Sequence, residues 1–328
     1  MLTTLFEGWL YIFLRPILLC NPNGNRYAPS LTAEALSDQD INDLIACSPK
    51  VDADSVYVTK LACNYPGRVS KIASDTVAKR MSTDPAQQEQ LSTELVRTST
   101  NIPVPRCGRL VKCLTSTGVY LLQQFVPGRT LHDAWPSLSW WHRFRVLLTF
   151  RYYIYQLRRM TERVGPPSFP GPPSCDGIPK YCKGRLLNSA GCGPFQSYRE
   201  LARWYQNRLL VMQRFRKQGL GLAPFDSTVP LAFTHMDLHL RNLILGDDRQ
   251  LWVIDWAEAG WYPSWFEAAS MSMYAKSHPD SSRSWRKWIP FVAGSCDNPG
   301  QLPFIMTISY SLECMPPDIM NLIDSEQP

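Results

Sequence analysis

FTHMDLHLRNLILGDDRQLWVIDWAEAGWYPSWFE, residues 233–267, carries three oxygen-bearing side chains in a fixed order on an apolar background: Asp237, Asn242 and Asp255. His235 to Asn242 places a carboxylate and a carboxamide on one tight loop. Leu243-Ile244-Leu245 and Leu251-Trp252-Val253-Ile254 predict two short strands, with Gly246-Asp247-Asp248-Arg249 as the turn between them. Such a hairpin returns Asp255 to the loop that holds Asp237 and Asn242. Grouped oxygen donors suit a hard divalent cation, and Mg²⁺ is usually held by one or two carboxylates plus phosphate oxygens. A carboxylate beside an attacking hydroxyl, with oxygen ligands for Mg²⁺, is what phosphoryl transfer from ATP requires.

The same stretch resembles the catalytic centre of the aminoglycoside phosphotransferase family, which shares the protein-kinase-like fold. It is similar in particular to the fungal branch, with its phrases HxDLxxRN and IIDWExAGWYPxxWE. The matching residues are His235, Asp237, Leu238, Arg241 and Asn242, then Ile254, Asp255, Trp256 and Ala259 to Pro263. A lone HxD carries little information, whereas this ordered set is specific. Asn101 to Pro105 is similar to the family's TxIPVP, Phe125 to Leu131 to its EYVPGxTL, and Gly193-Pro194-Phe195 to its GPF. The likeness runs over residues 55–270 and does not reach the two ends.

The resemblance implies roles. Asp237 is the candidate catalytic base, against the plainer reading of a solvated loop carboxylate. Asn242 and Asp255 are the candidate Mg²⁺ ligands, although Asn242 also suits a turn or cap. Lys79, in Thr76-Val77-Ala78-Lys79, resembles the strand lysine that meets nucleotide phosphates, with Lys71 as its rival. Glu89 has the spacing to Ile102 of the family's paired glutamate, with Glu94 as its rival. Gln124 and Val126 stand where backbone groups meet adenine, and Gln124 replaces the family's usual Glu. His235 is expected to brace the loop by hydrogen bonding, while His239 suits either the acceptor or solvent. No G-x-G-x-x-G is present, and Gly67 alone marks a turn where a phosphate loop belongs.

Around these motifs, Leu31 to Ala46 contains a helical pattern and Val56 to Leu61 predicts a strand. Arg68 to Ala73 and Thr76 to Met81 predict a hairpin turned at Ser74-Asp75. Pro85 to Thr98 has helical spacing, ended by Ile102-Pro103-Val104-Pro105, because Pro lacks a donor N–H and biases its predecessor towards extended geometry. Gly118 to Phe125 is a further strand, with Val126-Pro127-Gly128 as its exit turn. From Leu131 the texture turns helical: Trp140 to Val164, a Pro/Gly/Cys loop from Gly165 to Gly193, then Tyr198 to Lys217. The predicted class is α+β, a protein-kinase-like two-lobed fold. It divides into a leader at 1–50, a small β-rich N-lobe at 51–128 and a larger, mainly helical C-lobe at 129–328.

Composition narrows the function classes. With 328 residues the chain can form one large domain or two lobes. Its net charge of +6 is mild and dispersed, which argues against a nucleic-acid partner. Ten cysteines include no C-x-x-C pair, and reduced thiols in the cytoplasm are expected. Cys175, Cys182 and Cys192 leave a small metal or disulfide knot as the alternative. Leu10 to Cys20 is apolar but interrupted by Arg15-Pro16, too short to span a bilayer and unlike a signal peptide. Packing on the domain or resting on a membrane surface is expected of it.

The expected activity is ATP- and Mg²⁺-dependent phosphoryl transfer to a hydroxyl of a small molecule. A protein acceptor is disfavoured, because Asp255-Trp256-Ala257 runs straight into Gly260-Trp261-Tyr262-Pro263 with no activation segment. A polycationic aminoglycoside is disfavoured by the net basic charge. The other class of reading is a catalytically silent binding or scaffold protein that kept the fold. Trp256, Trp261, Tyr262, Trp265 and Phe266 are expected to pack beneath the larger lobe, with an acceptor-pocket wall as the alternative.

Overall fold

The structure, a computed structural model, describes residues 11, 14–20, 30–48, 69–278, 285–294 and 300–313. The chain divides into two compact units, residues 1–157 with 239–257, and residues 158–238 with 258–328. His235 to Leu238 thus belongs to the second unit and His239 to Ala257 to the first.

In the first unit the expected hairpin forms. Strands β1 (Val69–Lys71) and β2 (Thr76–Met81) pair antiparallel, with Lys71 opposite Val77. The sheet continues through β3 (Cys107–Lys112) and β4 (Val119–Gln124), in the spatial order β1-β2-β4-β3. β3 has no counterpart among the sequence expectations, because only Gly108 and Val111 in it are buried and its apolar signal is thin. The single helix expected over Leu31 to Ala46 is broken: a 3-10 turn at Thr32–Ala35 precedes helix α1 (Asp38–Cys47). Ser37 causes the break. Its hydroxyl accepts from the Asp40 N–H and its own N–H donates to the Asp40 carboxylate, both at 3.2 Å, a reciprocal cap.

Helix α2 (Thr83–Ser99) matches the helical spacing and buries Ala86, Glu89, Thr93 and Val96 along one face. Helix α3 (Trp140–Arg158) is shorter than expected; the run to Val164 resumes as a separate turn at Thr161–Val164. Described parts of the leader pack on α3, with Tyr11 and Leu18 against Leu148. A second sheet joins β5 (Gly128–Thr130), β7 (Leu243–Gly246) and β8 (Leu251–Val253). Gly128 is required there: its φ is 148°, and a Cβ would lie 2.5 Å from the Leu245 carbonyl oxygen. The expected strand at Val56 to Leu61 and the Gly67 turn lie outside the described residues.

The second unit is mainly helical. β6 (Leu231–Thr234) and β9 (Gly260–Pro263) form its antiparallel pair, with Thr234 opposite Gly260. Helix α4 (Tyr198–Arg216) starts at Ser197, whose hydroxyl accepts from the Glu200 N–H at 3.3 Å. Helices α5 (Phe266–Ser277) and α6 (Gln301–Glu313) complete the core. Tyr205 stacks on Phe225 with centroids 4.7 Å apart, and Phe225 meets Phe266 and Phe304 edge-on. Trp261, Tyr262, Trp265 and Phe266 are buried in this unit and Trp256 in the first, the packing role expected of the aromatic run.

The Gly165 to Gly193 loop is fastened at two places. Gly171 exchanges backbone hydrogen bonds with Trp261, and Cys182 with Cys192. The described cysteines are free thiols, Cys175, Cys182 and Cys192 included. Burial pushes Cys182 up to about 11 and Cys192 up to about 12, which keeps them protonated. Among the described residues no cluster of three metal-binding side chains occurs, and no helix is long and apolar enough to cross a membrane.

Candidate active site

Lys79 lies on β2, where the pleat turns its side chain inward. Its ammonium donates to Glu89 Oε2 and to Asp255 Oδ1, each at 2.8 Å. Glu89 is the one carboxylate on the buried face of α2, and a buried charge needs compensation. Lys79 supplies it on one oxygen, and the Gln123 amide donates to the other at 2.9 Å. Burial pushes the Lys79 ammonium down, but the charges of Asp255 and Glu89 more than reverse this, so it lies above its ordinary value. Burial pushes Glu89 up, opposed by Lys79 and reinforced by Asp255. The rivals are engaged elsewhere. Glu94 pairs with Arg97 at 2.6 Å, and the Lys71 ammonium sits over the Phe125 ring at 3.7 Å.

Asn242 and Asp255 are brought together by the β7–β8 hairpin. Leu243 lies opposite Val253, and the Ile254 N–H donates to the Asn242 carbonyl at 3.0 Å. Asp255 follows with φ of 65°, a left-handed bend that Asp tolerates better than most residues. The Trp256 indole donates to the Val253 carbonyl at 3.1 Å and closes that bend. Amide and carboxylate oxygens on one hairpin fit Mg²⁺, which takes the rest of its shell from phosphates and water. They do not fit Zn²⁺, which wants nitrogen and sulfur.

Val126 packs with Val69, Val77, Ile244 and Ile254 in one apolar cluster of the same unit. The Gln124 N–H is committed to the Arg106 carbonyl at 2.8 Å, so that group does not serve a ligand. The Gln124 side chain in turn accepts from the Arg106 N–H at 3.2 Å.

In the second unit Asp237 sits on a braced loop. Its N–H donates to His235 Nδ1 at 3.3 Å, and the His235 N–H donates to Glu267 Oε2 at 2.7 Å. Met236, between them, is buried with φ of 72°, a costly conformation for a long side chain. The Ser270 hydroxyl donates to its carbonyl and holds it there. Burial pushes Glu267 up to about 7, against the hydrogen bond from the His235 N–H and the charge of Arg158. Arg185 Nη2 lies 3.5 Å from Asp237 Oδ1. His239, in the first unit, caps the turn at Leu240–Asn242 by accepting from the Arg241 N–H at 3.2 Å.

Sequence reasoning gave no role to Gln123, Arg185, Glu267 or Ser270. Glu267 had a signal, as a lone charge between Phe266 and Ala268 in an apolar run. Arg185 had a weaker one, a charge between Gly184 and the buried Leu186-Leu187. Ser270 and Gln123 had none.

Known proteins supply a partial likeness. No curated protein matches the chain. Among solved structures it is similar to a thermostable mutant of aminoglycoside phosphotransferase APH(4)-Ia in ternary complex with ADP and hygromycin B. Identity is 17% over 78% of this chain and 83% of that chain, with a TM-score of 0.45. The GDP complex of wild-type aminoglycoside 2'-phosphotransferase-IIIa shares 12% identity over 83% and 92%, with a TM-score of 0.44. For APH(3'')-Id from Streptomyces rimosus the values are 16%, 75%, 89% and 0.41. Likeness at this level says nothing of substrate. Residues 181–288, which contain Asp237, Asn242 and Asp255 but neither Lys79 nor Glu89, match the model described as the phosphotransferase enzyme family, and over that span the chain is similar to it.

Proposed function

We propose that the chain is an ATP- and Mg²⁺-dependent phosphotransferase of the protein-kinase-like, two-lobed kind, acting on a hydroxyl of a small molecule. The lobes are 51–128 and 129–328 after a leader at 1–50, and the likeness to the fungal branch rests on the phrase at 233–267. The observation that carries the reading is the Lys79 ammonium, 2.8 Å from both Glu89 and Asp255 on a hairpin that also bears Asn242. A structural ion pair has no need of a second carboxylate set beside an amide on a bent hairpin.

In this reading Glu89 holds Lys79, and Lys79 steadies the nucleotide phosphates. Val69, Val77, Val126, Ile244 and Ile254 offer the adenine an apolar wall, with the Gln124 carbonyl and backbone groups of Val126 at its edge. Asn242 and Asp255 hold Mg²⁺, which when bound neutralises charge on the transferring phosphate. Asp237 accepts the proton of the acceptor hydroxyl as that oxygen bonds to the γ-phosphorus. The bond from the γ-phosphorus to the bridging oxygen breaks, and ADP leaves with its electron pair. The free thiols of the described cysteines are in keeping with a cytoplasmic setting.

One observation favours the silent scaffold as a second reading. Asp255 Oδ1 is already taken by Lys79, so a metal has to share or displace that bond. ATP consumption across a panel of hydroxyl-bearing metabolites separates the readings. The enzyme reading expects turnover with at least one compound, abolished in Asp237→Asn. Turnover that survives Asp237→Asn unchanged contradicts the role given to that residue.

A further inference from the structure

Arg185 sits on a turn that the second unit holds firmly. Leu186 and Leu187 beside it are fully buried in the aromatic core. The Tyr205 hydroxyl donates to the Leu186 carbonyl at 2.6 Å, and the Leu187 N–H donates to the Gly184 carbonyl at 2.9 Å. Gly184 has φ of 138°, a backbone conformation that L side chains rarely adopt, so a larger residue there is strained. The guanidinium rests on the Tyr274 ring, 5.0 Å from its centroid. Arg185 is therefore positioned by its backbone and its flat face.

Its donors are poorly used. The contact to Asp237 Oδ1 is 3.5 Å, whereas a charge-assisted N–H to carboxylate bond normally measures ~2.7–2.9 Å. Arg185 Nε is buried and has no hydrogen-bond partner. A guanidinium presents a planar fork that matches carboxylate and phosphate oxygens in pairs. Here the fork is held in place, half-buried, beside the candidate base, with Nε unpartnered and Nη2 only loosely engaged.

We infer that Arg185 is a specificity-determining residue that binds an oxyanion, carboxylate or phosphate, carried by the acceptor near the hydroxyl to be phosphorylated. This rests on the phosphotransferase reading and adds the class of acceptor to it. An acceptor anion on Arg185 engages its Nη donors and offsets the positive charge that otherwise lies against Asp237. A polycationic acceptor meets that charge at the base itself and is repelled.

The test uses the full chain with Mg–ATP and hydroxyl compounds in matched sets on one skeleton: a carboxylate, a phosphate monoester, a neutral amide and an amine. The carboxylate or the phosphate of at least one set is expected to be the best acceptor, and which of the two wins names the oxyanion. Arg185→Gln is expected to raise KM for that member about tenfold or more, as loss of a charge-assisted pair does, while the neutral member changes little. Arg185→Lys, which keeps the charge and loses the fork, is expected to fall between, and serves alone where Arg185→Gln does not fold. Preference for neutral or amine members overturns the inference. So does an equal loss on all members through kcat, which makes Arg185 a positioning residue for Asp237. A chain that binds Mg–ATP but phosphorylates no anionic member also overturns it and leaves the nucleotide reading standing. Failure to bind Mg–ATP overturns the phosphotransferase reading instead.

Discussion

The ammonium of Lys79 donates to the carboxylate of Glu89 at 2.8 Å, with both side chains buried, and so ties β2 to α2. Removing one partner of a buried pair strands the other charge. Lys79→Met is therefore expected to cost roughly 3–5 kcal/mol of stability. Glu89→Gln keeps an acceptor for Lys79 and is expected to cost less, on the order of 1–2 kcal/mol. Urea unfolding of both variants, at unchanged m-value, checks the order. Equal losses, or none, would count against the pair as the organiser of this unit.

Glu267 makes stability depend on pH in a defined window. Burial raises its folded value to about 7 from an ordinary 4.5. The folded chain thus binds the proton more tightly, and the stability linked to it is complete below pH 4.5 and lost as pH rises through 7. The whole contribution is on the order of 3 kcal/mol. Glu267→Gln cannot ionise and keeps an acceptor for the His235 N–H. Melting curves from pH 5 to 8 are expected to fall less with pH for the variant than for the parent. Parallel curves would show that Glu267 does not titrate there.

Ser270 stabilises a strained backbone. Met236 holds φ of 72° with its carbonyl accepting from the Ser270 hydroxyl. Ser270→Ala leaves that buried carbonyl without this donor, at an expected cost of about 1–3 kcal/mol. Because Asp237 follows Met236 directly, kcat is expected to fall more than KM rises. A variant as stable and active as the parent would show that the Ser270 hydroxyl does not hold Met236.

The Tyr205 hydroxyl links the aromatic core to the turn that carries Arg185. Tyr205→Phe keeps the stacking on Phe225 and removes only the bond to the Leu186 carbonyl, at an expected cost near 1 kcal/mol. Amide hydrogen exchange is expected to quicken at residues 184–187 while the helices keep their protection. Uniform quickening across the unit would place the effect in the core.

The β7–β8 hairpin was legible in the sequence because its turn residues and apolar runs are local signals. The β1–β2 hairpin and α2 were legible for the same reason. The pairing of Lys79 with Glu89 followed from family spacing, while their rivals Lys71 and Glu94 could be set aside only by three-dimensional partners. β3 was missed because only Gly108 and Val111 in it are buried and its apolar signal is thin, β6 because it is a four-residue strand, and β9 because it lies in a run whose aromatic residues are buried. Arg185, Glu267 and Ser270 escaped because their roles lie in contacts to distant backbone and side-chain groups, and such contacts leave no periodicity. The broken helix at Ser37 carried a readable signal, a reciprocal Ser–Asp cap, which the helical pattern around it obscured.

In the proposed function Asn242 and Asp255 hold a divalent metal with a nucleotide beside Lys79. Calorimetric titration of the full chain and of Asp255→Ala with ATP, with and without Mg²⁺, tests this role. Binding that Mg²⁺ strengthens in the parent but not in the variant is expected. Binding indifferent to Mg²⁺ in the parent, or no ATP binding at all, would contradict it.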